Sequence, residues 1–149
     1  MKTARKQEGF TLIEVLVVLS MSAIFMLFAV SISERLVEKY KTEQFLRTFQ
    51  SDILYLQQLS MTNSKRFYTL DIQPASHSYT IRQGGLGKVI ISRDIPANWT
   101  IELNSLKMPI TFTYKGTLKN PGTMYLKTDS KTYRIVFPLG KGRSYIVEQ

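Results

Sequence analysis

The residues with the strongest chemical pull lie near the start of the chain, in KQEGFTLIEVLVVLSM, residues 6–21. There a carboxylate, Glu14, sits in an otherwise apolar run five residues after Gly9. From Phe10 to Ile32 it is the only ionisable side chain. A carboxylate at membrane depth costs on the order of a few kcal/mol and marks a partner or a pathway. The partner it needs is a cation, and the run contains none. A cut after Gly9, where the missing side chain lets a protease approach the backbone, would start the mature protein at Phe10 with a positively charged amine. Within one chain that amine and Glu14 lie about one helical turn apart. Between chains, a staggered neighbouring helix brings one subunit's amine to the next subunit's carboxylate. In a low-dielectric setting such a pair is strong and either charge alone is costly, so the pairing would drive and register helix stacking.

The element that carries these groups reads as a membrane helix. At about 1.5 Å per residue, Phe10 to Ile32 spans a hydrocarbon core of about 30 Å. Lys2, Arg5 and Lys6 precede it, while Glu34, Arg35, Glu38 and Lys39 after it roughly cancel. The start is therefore expected to stay cytoplasmic and the remainder to face outward. Two plainer readings compete. A secretory signal cut near Ala29-Val30-Ser31 would need a shorter apolar core, and a single-pass anchor leaves Glu14 unexplained.

A short basic leader, then Gly9 and Phe10-Thr11-Leu12-Ile13-Glu14 opening an apolar run, resembles the class III signal of type IV pilins and type II secretion pseudopilins. The resemblance implies cleavage between Gly9 and Phe10 by a membrane prepilin peptidase and N-methylation of Phe10 by the same enzyme. It also implies a part for Glu14 in filament assembly. Methylation keeps the amine charged, so the electrostatic argument survives it.

Beyond the expected bilayer segment the helical pattern continues. Leu36, Tyr40, Phe45, Phe49, Ile53, Leu56 and Leu59 recur at spacings of three to five, with Glu38, Lys41, Glu43, Arg47, Asp52 and Gln57 assigned to the opposite side. No Pro or Gly occurs between Phe10 and Met61, so one helix of roughly 50 residues, about 75 Å long, is expected. After Asn63 the period changes to two. Strands are expected near 67–72, 78–82, 88–93, 99–103, 110–115, 123–128, 132–138 and 143–147, joined by turns rich in Gly, Pro, Asn and Asp. The expected fold is α+β and pilin-like, a long N-terminal helix packed on an antiparallel sheet. Its expected divisions are a leader at 1–9, a transmembrane half-helix at 10–32, an amphipathic half at 33–61 and a β domain at 62–149.

Composition narrows the function. There is no cysteine and a single histidine, His77, which excludes a Cys-based metal cluster and a Cys-His catalytic pair. The glycines at 84, 85 and 87 with Lys88, and the run Gly140 to Ser144, lack phosphate-loop spacing and a following helix. Asn98-Trp99-Thr100 matches a glycosylation sequon, with Trp99 read as core. No cofactor, metal or enzymatic activity is expected. The net charge is +9, and +7 without Lys2, Arg5, Lys6 and Glu8; from Asn104 onward eight Lys and Arg face only Asp129 and Glu148. That excess suggests an anionic partner. If the last four strands form a meander, Lys119, Lys141 and Arg143 gather at one end, bordered by Tyr114, Tyr125 and Tyr145. Such a cluster suits DNA phosphates, and equally an ordinary solvated edge.

The spacing of FTYKGTLKNPGTMYLKT and YRIVFPLGKGRSYIV is similar to the GspH/FimT-like branch, and within it to ComGD-type minor pilins of Gram-positive competence pili. That resemblance implies a minor pilin extracted from the membrane into a filament at the cell surface, needed for uptake of external DNA in transformation. The implied partners are the prepilin peptidase, major and other minor pilins, an assembly ATPase with its polytopic platform, the lipid bilayer before assembly, and double-stranded DNA. A type II secretion pseudopilin, a membrane-anchored DNA-binding receptor module and an anchored wall-binding protein remain as alternatives.

Overall fold

The computed structural model describes residues 10–63, 65–85, 87–140 and 143–149, with the side chains of 28–35 excepted. The expected leader, with Gly9, and the candidate Lys141 lie outside the described residues. One helix, α1 (Leu12–Thr62), is followed by β1 (Tyr68–Gln73), a 3-10 turn at Pro74–Ser76, β2 (Ser78–Gln83) and β3 (Val89–Asp94). Then come β4 (Thr100–Glu102), β5 (Gly122–Lys127), β6 (Thr132–Phe137) and β7 (Tyr145–Glu148). The chain divides into two compact units, residues 1–44 and 45–149.

In the first unit the helix begins with a local device. Thr11 stands before the first helical residue and its Oγ1 accepts the backbone N–H of Glu14 at 3.4 Å, while the N–H of Val15 reaches the Thr11 carbonyl at 3.2 Å. Thr-x-x-Glu at this place is the capping-box pattern, and a carboxylate in the first turn also suits the helix dipole. The described apolar side chains that follow are exposed, among them Leu12, Ile13, Phe25 and Leu27. Ser20 and Ser22 donate their hydroxyls to the carbonyls of Val17 and Val18, each at 2.8 Å, so neither asks for a partner outside the helix.

In the second unit the rest of α1 packs on antiparallel sheets, which makes the fold α+β. The single sheet expected from the sequence is two: β1-β2-β3, and the meander β4-β5-β6-β7. One core joins them. Phe49, Ile53 and Leu56 from α1 share it with Leu70 and Ile81 of the first sheet, Met124, Leu126 and Ile135 of the second, and Ile110 from a connecting segment. Strand β6 alternates as expected, with Tyr133, Ile135 and Phe137 buried. Phe45 meets Trp99 edge-on at 5.3 Å, and Phe49 meets Tyr79 edge-on at 5.2 Å, geometries that aromatic quadrupoles favour.

Two expectations are corrected. Residues 110–115 form no strand of the meander. Ile110 instead exchanges both backbone bonds with Leu70, at 2.8 and 2.9 Å, and Phe112 bridges Leu118. Pro109 has no N–H to extend a ladder, and Gly116, at φ +75°, turns the chain back. The helical stripe is also displaced. Leu36 and Tyr40 are exposed, whereas Asp52, assigned to the polar side, is only 5% exposed.

Asp52 is buried because it is bonded. Its carboxylate accepts the Tyr79 hydroxyl at 2.8 Å and the Arg93 Nε–H at 3.1 Å, tying α1 to β2 and β3. Burial, then the adjacent carboxylate, push the Tyr79 pKa up from the ordinary 10.0. The hydrogen bond to Asp52 and its charge likewise raise that of Arg93. Tyr79 thus holds its proton more tightly folded than unfolded. Its contribution is complete below about pH 10 and is lost as pH rises beyond that value. Tyr79→Phe is expected to cost about 1–2 kcal/mol at neutral pH. In urea unfolding, the gap between parent and variant should narrow at pH 11.

Candidate functional site

Two places bear on function, one in each unit. In the first, Phe10, Glu14, Val15, Val18 and Leu19 line one shallow apolar hollow of about 270 Å³. Phe10, just before the start of α1, and Glu14 in its first turn therefore border the same hollow. Among the described residues the Glu14 carboxylate meets no cation; the ion pairs are Lys39–Glu43, Arg93–Asp52, Lys127–Glu102 and Lys131–Glu148. Sequence reasoning missed Thr11, whose cap was legible in the Thr-x-x-Glu spacing.

No helix among the described residues is long and apolar enough to cross a membrane. The expected span, 10–32, includes residues 28–32, whose side chains lie outside the description.

The second place is a cleft of about 370 Å³ lined by Ser60, Lys65, Arg66, Phe67, Phe112, Thr113, Tyr114 and Lys119. Two segments build it. The first leaves the end of α1, where the N–H of Asn63 bonds the Leu59 carbonyl at 3.1 Å and that of Arg66 bonds Asn63 at 3.0 Å, and it enters β1. The second is the tight turn 113–119. The Gly116 N–H bonds the Thr113 carbonyl at 2.9 Å and the Thr113 N–H bonds Thr117 at 2.8 Å, while the Lys119 N–H bonds Thr111 at 3.0 Å. Gln57 on α1 fastens this turn by donating Nε2–H to the Gly116 carbonyl at 2.7 Å. A side chain at Gly116 would need the same positive φ and would meet Met61 Sδ at 2.8 Å. The cleft wall is therefore held by backbone bonds and by the Gln57 side chain.

Of the cations expected to gather for phosphate contact, Lys119 lines this cleft. Its companions there are Lys65 and Arg66, which the sequence reading did not single out. The loop before Lys141 does approach, since the Leu118 N–H reaches the Gly140 carbonyl at 3.4 Å, but Arg143 is not part of the lining. Tyr114 borders the cleft and is exposed; Tyr125 and Tyr145 lie on β5 and β7 outside it. Lys65 and Arg66 could have been noticed as consecutive cations just past a helix end, but Lys119 is more than fifty positions away, and only the fold joins them.

Comparison with curated proteins and with solved structures gave no match. Residues 4–30 match the family of the prokaryotic N-terminal methylation motif. That motif is the class III signal of type IV pilins, which implies processing by prepilin peptidase and assembly with other pilins; over residues 4–30 the chain is similar to the pilin and pseudopilin family.

Proposed function

We propose that the chain is a minor pilin of a competence pilus, processed between Gly9 and Phe10, methylated on Phe10, held in the membrane by residues 10–32 and extracted into a short filament that serves DNA uptake. The observation that carries the reading is the methylation motif at 4–30, joined to a helix-on-antiparallel-sheet fold. The placing of Phe10 and Glu14 on one hollow supports it too, because an amine freed at Phe10 would lie near that carboxylate. The role is structural, as is that of the motif's family.

Mass spectrometry of the mature polypeptide tests the first half: it is expected to begin with methylated phenylalanine at position 10. A chain retaining Met1, or starting near Ile32, would reject the pilin reading. Deletion tests the second half. Loss of transformation with protein secretion intact favours competence, and the reverse pattern assigns the chain to type II secretion.

A further inference from the structure

We propose that the cleft between the end of α1 and the 113–119 turn binds single-stranded nucleic acid, its three cations taking the phosphodiester backbone and its exposed rings stacking on unpaired bases. The proposal rests on the reading of the chain as a surface-displayed pilin, which gives the cleft access to nucleic acid outside the cell.

Charge comes first. Lys65, Arg66 and Lys119 enter one cleft whose lining contains no Asp or Glu. None of the three belongs to an ion pair among the described residues. Lys65 and Arg66 also complement the negative end of α1, an effect that fades within a turn. It gives no reason for Lys119 to arrive from another segment. Uncompensated cations converging on a recess favour a polyanion, and clustered Lys and Arg bind phosphates with strong salt dependence.

The rings decide which polyanion. Phe67 and Tyr114 are each 63% exposed and both line the cleft beside half-buried Phe112. Large exposed rings interleaved with cations are the combination that holds unpaired strands, because every base has a face to stack. A duplex keeps its bases stacked inside and gives these rings nothing. A cleft of about 370 Å³ lies in the range that admits a small organic group, such as one unpaired base. The Thr113 side chain also takes part locally, its Oγ1 accepting the Thr117 N–H at 3.2 Å, so the wall carrying Tyr114 is fixed before any ligand arrives.

The test uses the full mature chain in detergent, with fluorescence anisotropy of a labelled thymidine oligonucleotide and of a duplex of equal length. Affinity for the single strand is expected to fall roughly twentyfold between about 50 and 200 mM salt, as three phosphate contacts require. Lys65→Ala, Arg66→Ala and Lys119→Ala together should flatten that dependence. Tyr114→Ala should weaken the single strand roughly fivefold or more and leave duplex binding unchanged. Lys107→Ala, outside the cleft, serves as control. Equal binding of both forms with no effect of Tyr114→Ala, equal competition by inorganic polyphosphate, or indifference to the triple substitution would each overturn the proposal. Thermal melts of each variant establish that it is folded. The same samples report the N-terminus: methylated phenylalanine without strand binding sinks the cleft alone, and an unprocessed N-terminus sinks the pilin reading.

Discussion

Glu14→Val should leave the polypeptide inserted in the membrane and cleaved, yet reduce its entry into filaments by about a hundredfold to a thousandfold or more, since breaking a buried ion pair costs about 3–5 kcal/mol. The capping box makes the choice of variant matter. Valine removes a charge and also a first-turn residue suited to the helix start, whose neighbour Thr11 accepts the Glu14 N–H. Glu14→Gln separates the two, because glutamine serves at the third position of a capping box and carries no charge. If pairing with the amine of Phe10 is what Glu14 supplies, the glutamine variant fails as badly as the valine one. Filaments sheared from cells and blotted for the subunit give the readout. Parental levels of Glu14→Gln would show the residue to be a cap and would end the pairing mechanism.

The second large effect is on stability. Phe49→Ala is expected to cost about 3–5 kcal/mol, a substantial part of the 5–15 kcal/mol typical of a folded domain. Phe49 is 2% exposed, stacks on Phe45 with centroids 6.1 Å apart and meets Tyr79 edge-on, so truncation empties the centre of the aromatic cluster. Tyr40→Ala, nine residues earlier on the same expected stripe, should change stability by less than about 0.5 kcal/mol, because Tyr40 is exposed. Urea unfolding of both variants followed by circular dichroism makes the comparison. A Tyr40 effect as large as that of Phe49 would contradict the burial.

That pair of aromatics shows what the sequence could tell. Period and residue type placed the helix within two residues at its start and one at its end, and placed seven of the eight expected strands, because amphipathic patterning and turn chemistry are local. They could not tell which part of an apolar stripe would be covered, since cover is supplied by distant strands. Asp52 shows the same limit. Its spacing of three from Phe49 and four from Leu56 sets it on the buried face, but a charge there reads as surface until Tyr79 and Arg93 arrive from β2 and β3. At the candidate sites, Gly9, Phe10 and Glu14 form a contiguous word and were legible. The cleft cations were not, because Lys119 joins Lys65 and Arg66 only through the turn that Gln57 fastens.

The Asp52 carboxylate has a consequence for how α1 is seated. Phe49, Ile53 and Leu56 are greasy shapes that would tolerate sliding or rolling over the strands with modest loss. An acid that finds its donors in one place only acts as an index pin, making every other setting of the helix leave a charge stranded in oil. The oily residues hold the rod down, and the acid decides at which notch.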